Sequence, residues 1–201
     1  WAATFGEPVT QLTIHSSVVL QHFEVMPLNF RVDDRAVMFP FNFDLSERVE
    51  MIPFQLPCFP SDSAAVQDWV HTFWRPGQLI ETFVLLDRMC KAVANGFTYG
   101  QREEPGVQRP SDTLRLRAGS CRDFATLFIE ACRFMGLGAL FVSGYLHSPD
   151  TVQGDGSAHA WAEVYLPGAG WKGFDTTSGL ITGDDHIAVA VTRHPADAPP
   201  I

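Results

Sequence analysis

The middle of the chain carries the clearest helical pattern. Apolar side chains recur there at a spacing of three to four residues, at Phe124, Leu127, Phe128, Ala131 and Met135. Ser120, followed three residues later by Asp123, resembles a capping box, and Gly136 suits the position just after a helix end. The pattern therefore predicts a helix that begins at Cys121 and ends before Gly136.

Two further helices are predicted upstream of this one. Ser61-Asp-Ser offers N-cap residues for a short helix that stops before Pro76. A second helix is predicted from about Leu79 to Asn95, and Cys90 lies within its apolar stripe, which indicates core packing. Residues 100–112 are polar and rich in turn formers, which predicts a surface loop that leads into the helix at Cys121.

Strand patterns dominate the rest of the chain. Residues 139–146 are predicted as a buried strand, residues 159–166 and 171–177 as a β-hairpin, and residues around 187–191 as a further strand. Partial alternation between Thr10 and Leu20, followed by several prolines, predicts short strands and loops before residue 60. The predicted fold class is α+β, with an N-terminal β-segment at residues 1–58 and the main core at residues 59–201.

Composition narrows the class of protein. Of the 201 residues, 46% are hydrophobic and 18% are charged, which is typical of a globular chain with a buried core. The net charge of −9 argues against nucleic acid or an anionic membrane as a partner. Four cysteines without a CxxC pair or a close histidine predict neither a metal site nor a cofactor. The low cysteine density favours free thiols and a cytoplasmic location.

Cys121 is the first candidate for chemistry because it falls at the first predicted helical position. Free N–H groups and the helix dipole favour a thiolate there. The local pattern leaves two interpretations open, an activated nucleophile or an ordinary residue at a helix start. A nucleophilic thiolate needs a base and a group that orients the base, and the predicted hairpin offers both in His159 and Asp175. Taken singly, this histidine is equally well a capping or surface residue, and the aspartate a turn residue.

The length of the hairpin loop decides whether His159 and Asp175 can meet. A four-residue loop pairs Leu166 with Trp171 and puts the two side chains on opposite faces of the sheet. A five-residue loop pairs Tyr165 with Trp171 and puts them on one face, on a diagonal that side chains of this length can span. A triad therefore requires a loop of odd length or a bulge.

Four motifs stand in a fixed order along the chain. They are Gly119-Ser-Cys-Arg-Asp-Phe-Ala, Val142-Ser-Gly-Tyr-Leu, His159-Ala-Trp-Ala-Glu-Val-Tyr-Leu and Gly170-Trp-Lys-Gly-Phe-Asp-Thr-Thr. Over about residues 59–191 the chain thereby resembles the transglutaminase-like superfamily, and within it the bacterial cysteine-protease-like branch. The resemblance implies a papain-like catalytic core with a Cys-His-Asp triad at Cys121, His159 and Asp175.

The chain departs from the family pattern in two places. The usual Asp-Pro-Thr-Asn is Asp175-Thr-Thr-Ser here, and the usual Arg-Asp-Tyr-Ala-Asp near the end is Arg193-His-Pro-Ala-Asp. Both changes leave the three triad residues intact. They affect the expected shape of the loops and the recognition of substrate.

The triad implies an acyl-thioester mechanism on the amide bonds of a peptide or protein substrate. The oxyanion is expected to meet the backbone N–H of Cys121 and a second donor, for which Tyr99 is the candidate. Water as acceptor gives a cysteine peptidase or amidase, which we favour. An amine gives a transglutaminase, and a non-catalytic binding module of the same fold is the third alternative. Three aromatic residues are candidates to line the cleft, although strand aromatics are more often core residues: Tyr145, Trp161 and Trp171.

Overall fold

The computed structural model describes residues 28–100, 102, 104, 106–147 and 157–198, with positions 4, 6–7, 10–13, 15, 19–21 and 23 before them. The alternation predicted between Thr10 and Leu20 includes Ile14 and Val18, which lie outside the described residues. The described positions of that stretch are not in strands.

Helices and strands fill most of the described chain. The helices are α1 Leu45–Gln55, α2 Ser63–Val70, α3 Thr82–Gly96, α4 Pro110–Leu116 and α5 Cys121–Phe134. The strands are β1 Met38–Phe39, β2 Ile80–Glu81, β3 Thr98–Tyr99, β4 Ala118–Gly119, β5 Ala139–Leu146, β6 Ser157–Leu166, β7 Gly170–Asp175, β8 Leu180–Ile181 and β9 His186–Thr192. Among the described residues, no helix combines the length and apolar character that crossing a bilayer requires.

A five-stranded antiparallel sheet forms the second half of the fold. Its strand order is β8-β7-β6-β5-β9, so the last strand returns to pair with β5 at the opposite edge from β8. Helix α5 packs against this sheet, with the rings of Phe128 and Phe174 5.4 Å apart. The segregation of helices and antiparallel strands confirms the predicted α+β class.

Helix α5 is buried along nearly its whole length. Every residue from Cys121 to Arg133 is buried, so the charged side chains on this helix need partners inside the protein. Arg133 pairs with Glu130 at 2.9 Å, and Arg122 donates to the backbone carbonyls of Pro195 and Ala198. The chain after β9 is thereby tied to the helix that begins at Cys121.

Helix α1 contradicts the prediction of strands and loops before residue 60. It begins with a capping box between Asp44 and Glu47 and continues through Pro53. Met51 is its one buried residue. A proline inside a helix removes one backbone hydrogen bond and usually indicates a break, so the sequence favours loops here although some apolar residues recur at helical spacing. The described part of this region packs on the core through Phe30 and other side chains. The division of the chain at residue 58 stays a prediction.

Two other boundaries differ from the sequence prediction. Helix α3 begins at Thr82 rather than near Leu79, because the two preceding residues pair with β1. Helix α4 begins at Pro110, inside the predicted loop, where proline is well tolerated because the first N–H of a helix needs no partner within it.

Candidate active site

Cys121 is held at the first position of α5 by a network around Asp123. One carboxylate oxygen of Asp123 accepts from the backbone N–H and the hydroxyl of Ser120, at 2.8 and 2.9 Å. The other accepts from Arg102 at 2.8 Å and from the backbone N–H of Gln108 at 2.6 Å. Asp123 is thus the predicted cap partner, and it also fixes the loop that precedes the helix. Cys121 is 8% exposed.

The hairpin has the register of an odd-length loop. Tyr165 pairs with Trp171, and the loop between the strands consists of residues 167–169. His159 and Asp175 therefore lie on the same face of the sheet. Nε2 of His159 is 3.0 Å from Oδ2 of Asp175, although the ring N–H does not point straight at that oxygen.

His159 lies between the carboxylate and the sulfur. The side chains of both Asp175 and Cys121 lie close enough to its ring to act on its pKa. Burial by itself lowers the pKa of this imidazole, but the hydrogen bonds with Asp175 and then Cys121 outweigh it and raise the pKa to about 9. The surroundings of His159 therefore favour an imidazolium at neutral pH, next to the sulfur of Cys121.

Asp175 is a buried carboxylate with several donors. Its Oδ1 accepts from the backbone N–H of Thr177 at 2.9 Å, and its Oδ2 accepts from the hydroxyl of Ser178 at 2.8 Å. Burial by itself raises the pKa of Asp175, yet hydrogen bonds with His159 and His186 hold it well below its usual range. Ser178 stands where the family pattern has asparagine, and it takes part directly in fixing the carboxylate.

Sequence reasoning missed His186. Its Nε2 lies 3.3 Å from Oδ2 of Asp175, so the carboxylate faces two histidines. His186 is the first residue of β9, and its local pattern is that of any residue at a strand start. The approach of His186 depends on how the sheet closes, and no sequence pattern marks it. One side-chain nitrogen or oxygen atom from each of His159, Asp175 and His186 lies within 4.8 Å of the other two. Three such atoms could hold a metal ion, but hydrogen bonding accounts for the spacing.

Tyr99 is brought to the sulfur by the short parallel pair of β3 and β4. It pairs with Gly119, two residues before Cys121, and its hydroxyl is close enough to the Cys121 side chain for each to act on the other's charge. Burial and then the charge of Cys121 raise the pKa of the phenol above its usual value, so the group remains a proton donor at neutral pH. Its role as the second oxyanion donor stays a prediction.

The three aromatic residues proposed to line the cleft lie in different surroundings. Trp161 is buried, and it lines a pocket of about 640 Å³ together with Trp171. Among the described residues that line this pocket are His186 and Glu163, but neither Cys121 nor His159. Tyr145 lies on β5 with 44% of its surface exposed, and it does not line this pocket. Contact of these aromatics with substrate stays a prediction.

The remaining cysteines lie in other environments. Cys90 and Cys132 are buried, and burial raises the pKa of both thiols far above that of a free cysteine. Cys90 donates to the backbone carbonyl of Asp175 at 3.4 Å, in agreement with its predicted core position. Cys58 is half-buried beside the guanidinium of Arg133.

Known proteins share both the sequence pattern and the fold. The family model described as the transglutaminase-like superfamily matches residues 82–176, a range that contains Cys121, His159 and Asp175. The chain also superposes on a proposed cysteine protease from Cytophaga hutchinsonii with a TM-score of 0.63 and 27% identity, over 78% of this chain and 50% of that one. Residues 82–176 of the chain therefore match the transglutaminase-like superfamily.

The sequence relatives of the chain are longer proteins. An uncharacterized protein of Mycobacterium tuberculosis is 32% identical over 152 residues, which are 71% of this chain and 48% of that protein. The human protein named kyphoscoliosis peptidase is 30% identical over 99 residues, which are 46% of this chain and 15% of that protein. The chain thus spans about half the length, or less, of these curated relatives.

Proposed function

We propose that this chain is a thiol-dependent acyl-transfer enzyme that hydrolyses amide bonds in peptide or protein substrates. The observation that carries the proposal is the imidazole of His159, which lies 3.0 Å from the buried Asp175 and has a pKa raised by both Asp175 and Cys121. A nucleophile, a base and an orienting group in this order form the arrangement that covalent acyl transfer requires. The superfamily fold and the proposed protease among its structural neighbours support the same assignment.

The reaction begins with the thiolate of Cys121 and the imidazolium of His159. The sulfur attacks the amide carbonyl carbon, and the carbonyl electron pair moves onto oxygen to give a tetrahedral oxyanion. When the oxyanion collapses, the C–N bond breaks and His159 gives its proton to the leaving amine. Water, deprotonated by His159, then attacks the thioester and releases a carboxylic acid together with the thiolate. Asp175 holds the imidazole in one orientation and supports its positive charge through both steps.

Two donors near Cys121 support an oxyanion site. Cys121 occupies the first position of α5, and its backbone N–H is one of the helix-start groups that have no acceptor within the helix. The pKa of the Tyr99 phenol is raised by burial and by the nearby Cys121, so its hydroxyl keeps its proton at neutral pH. We assign these two groups as the oxyanion donors, since fixed dipoles at this point stabilise developing charge without reorganisation.

The proposal is tested by incubating the chain with denatured casein, with and without a fluorescent primary amine, and weighing the products. We expect new peptide termini that depend on Cys121, seen as their loss in Cys121→Ala. Cys58→Ala is the matched control, because this half-buried thiol lies outside the site. If the amine is incorporated into casein and no cleavage is seen, the activity is transglutamination and the proposal of hydrolysis is wrong.

Thiol labelling separates an enzyme from a binding module of the same fold. An activated Cys121 should react with iodoacetamide at pH 6 much faster than a free cysteine, whose pKa is about 8.5. The fast reaction should disappear in His159→Ala. The proposal would be overturned if Cys121 is labelled slowly, at the same rate with and without His159→Ala, and if casein gives no Cys121-dependent product.

A further inference from the structure

We propose that His186 is a positioning residue for this site, holding the carboxylate of Asp175 in the orientation that faces His159. The inference rests on the proposed function and adds a residue outside the triad. The His186 ring is hydrogen-bonded to Gly183 and Asp175, so its effect on Cys121 passes through the carboxylate.

The ring of His186 is fixed at both nitrogens. Its Nδ1 accepts a hydrogen bond from the backbone N–H of Gly183 at 3.3 Å. A ring that accepts at Nδ1 carries its proton on Nε2, and that nitrogen lies 3.3 Å from Oδ2 of Asp175. His186 is therefore set up to donate to the same oxygen that faces His159.

Packing holds the ring in place. Trp161 meets His186 edge to face, with centroids 5.2 Å apart, and the side chain of His186 is 10% exposed. The sheet permits this close packing at Gly144, where an added Cβ would lie 2.9 Å from the Trp161 ring and even closer to the backbone of Ile187. His186, the first residue of β9, is thus packed against Trp161 of β6 and Asp175 of β7.

The contact with His186 differs in kind from the other contacts that orient Asp175. Thr177 and Ser178 lie two and three residues after Asp175, in the same turn, so they move with it. His186 comes from another strand, eleven residues later, and ties the end of β7 to the start of β9. A carboxylate anchored only within its own turn can shift with that turn. The bond from His186 fixes it relative to the sheet that carries His159.

The test compares two amide substitutions that each keep one half of the ring's hydrogen bonding. The amide nitrogen of His186→Gln can reach the position of Nε2 and donate to Asp175. The shorter side chain of His186→Asn puts its carbonyl near the position of Nδ1, where it accepts from Gly183 but cannot reach Asp175. A positioning role predicts that Cys121 stays reactive in the Gln variant and loses reactivity in the Asn variant. A role in anchoring the Gly183 turn predicts the opposite.

The readout is the rate at which iodoacetamide alkylates Cys121 at pH 7, followed by peptide mapping. We expect His186→Asn to slow this rate by about tenfold, the scale of one lost hydrogen bond to a charged group, and His186→Gln to stay within about twofold of the unsubstituted chain. The same asymmetry should appear in kcat against casein, since His186 acts through the carboxylate of Asp175.

A double-mutant cycle shows whether the effect passes through the carboxylate. In an Asp175→Ala background, His186→Asn should cause no further loss, because the group it positions is gone. Urea unfolding of each variant separates loss of stability from loss of reactivity. Equal rates for Asn and the unsubstituted chain, a Gln variant as slow as Asn, or a loss that persists without Asp175 would each overturn the inference.

Failure of the inference differs from failure of the proposed function. If His159→Ala slows alkylation of Cys121 but His186→Asn does not, the inference is wrong and the proposed function stands. If neither substitution changes the rate, the proposed function itself fails.

Discussion

Two cysteines on helix α5 show how position creates chemistry. Cys121 begins the helix beside His159 and Tyr99, whereas Cys132, eleven residues later, is fully buried among apolar side chains. Along the helix axis they are about 16 Å apart. Burial raises the pKa of Cys132, which makes it an inert part of the core.

The difference teaches that residue type alone says little about reactivity. Both thiols are largely removed from water, since Cys121 is 8% exposed and Cys132 is 0% exposed. They differ in the polar groups that burial leaves beside them. At the start of the helix lie free N–H groups and the imidazole of His159, and in the interior of the helix neither is available.

The largest expected effect comes from removing each sulfur in turn. Cys121→Ala should lower kcat/KM against casein by at least about 10³-fold, because the nucleophile is gone. Cys132→Ala should leave kcat/KM unchanged and cost about 1 kcal/mol of unfolding free energy through the small cavity it creates. Peptidase assays and urea unfolding measure the two effects. Substantial activity in Cys121→Ala would end the distinction between the two thiols.

Removing the orienting charge gives the next largest effect. Asp175→Asn keeps the size of the side chain but disfavours the imidazolium of His159, so kcat should fall by about 10³-fold. Steady-state kinetics measure this loss, and circular dichroism checks that the fold is retained. A fall confined to KM would instead place Asp175 in substrate binding.

Removing the phenol hydroxyl should have a smaller effect. Tyr99→Phe keeps the ring packed against Phe124 and deletes only the donor, so kcat should fall by about 100-fold with KM little changed. Phe97→Leu is a suitable control, since it alters packing against the same Phe124 ring without removing a donor. Equal effects of the two substitutions would show that packing, and not the hydroxyl, matters.

The smallest expected effect is the change of activity with pH. His159 has a pKa raised to about 9, so its proton is present at neutral pH and is lost as the pH rises through that value. Activity should therefore hold to about pH 8 and fall about tenfold by about pH 10, because the leaving amine can no longer be protonated. Asp175→Asn should move this fall to lower pH, since it removes the group that most raises the pKa. If the loss of activity at alkaline pH occurs at the same pH in Asp175→Asn, the pairing of His159 with Asp175 is contradicted.

Local sequence patterns were enough to predict an element wherever its own residues set its ends or its burial. The capping box of Ser120 and Asp123 and the C′ glycine at Gly136, which has φ of +80°, set the limits of α5. Residues 139–146 likewise form the predicted strand, since their run of apolar and small side chains suits a buried strand. Helix α1 was missed because Pro53 lies inside it, and a proline in that position usually indicates a helix break.

The sequence by itself determined the α+β class, the placement of Cys121 at a helix start and the two strands that carry His159 and Asp175. Tertiary structure decided the hairpin register, which puts His159 and Asp175 on one face, and the approach of His186 to the same carboxylate. The physical reason is the range of the interactions. Caps and periodicity act within a few residues, whereas register and sheet closure depend on side chains far apart in the chain that meet only when the core packs.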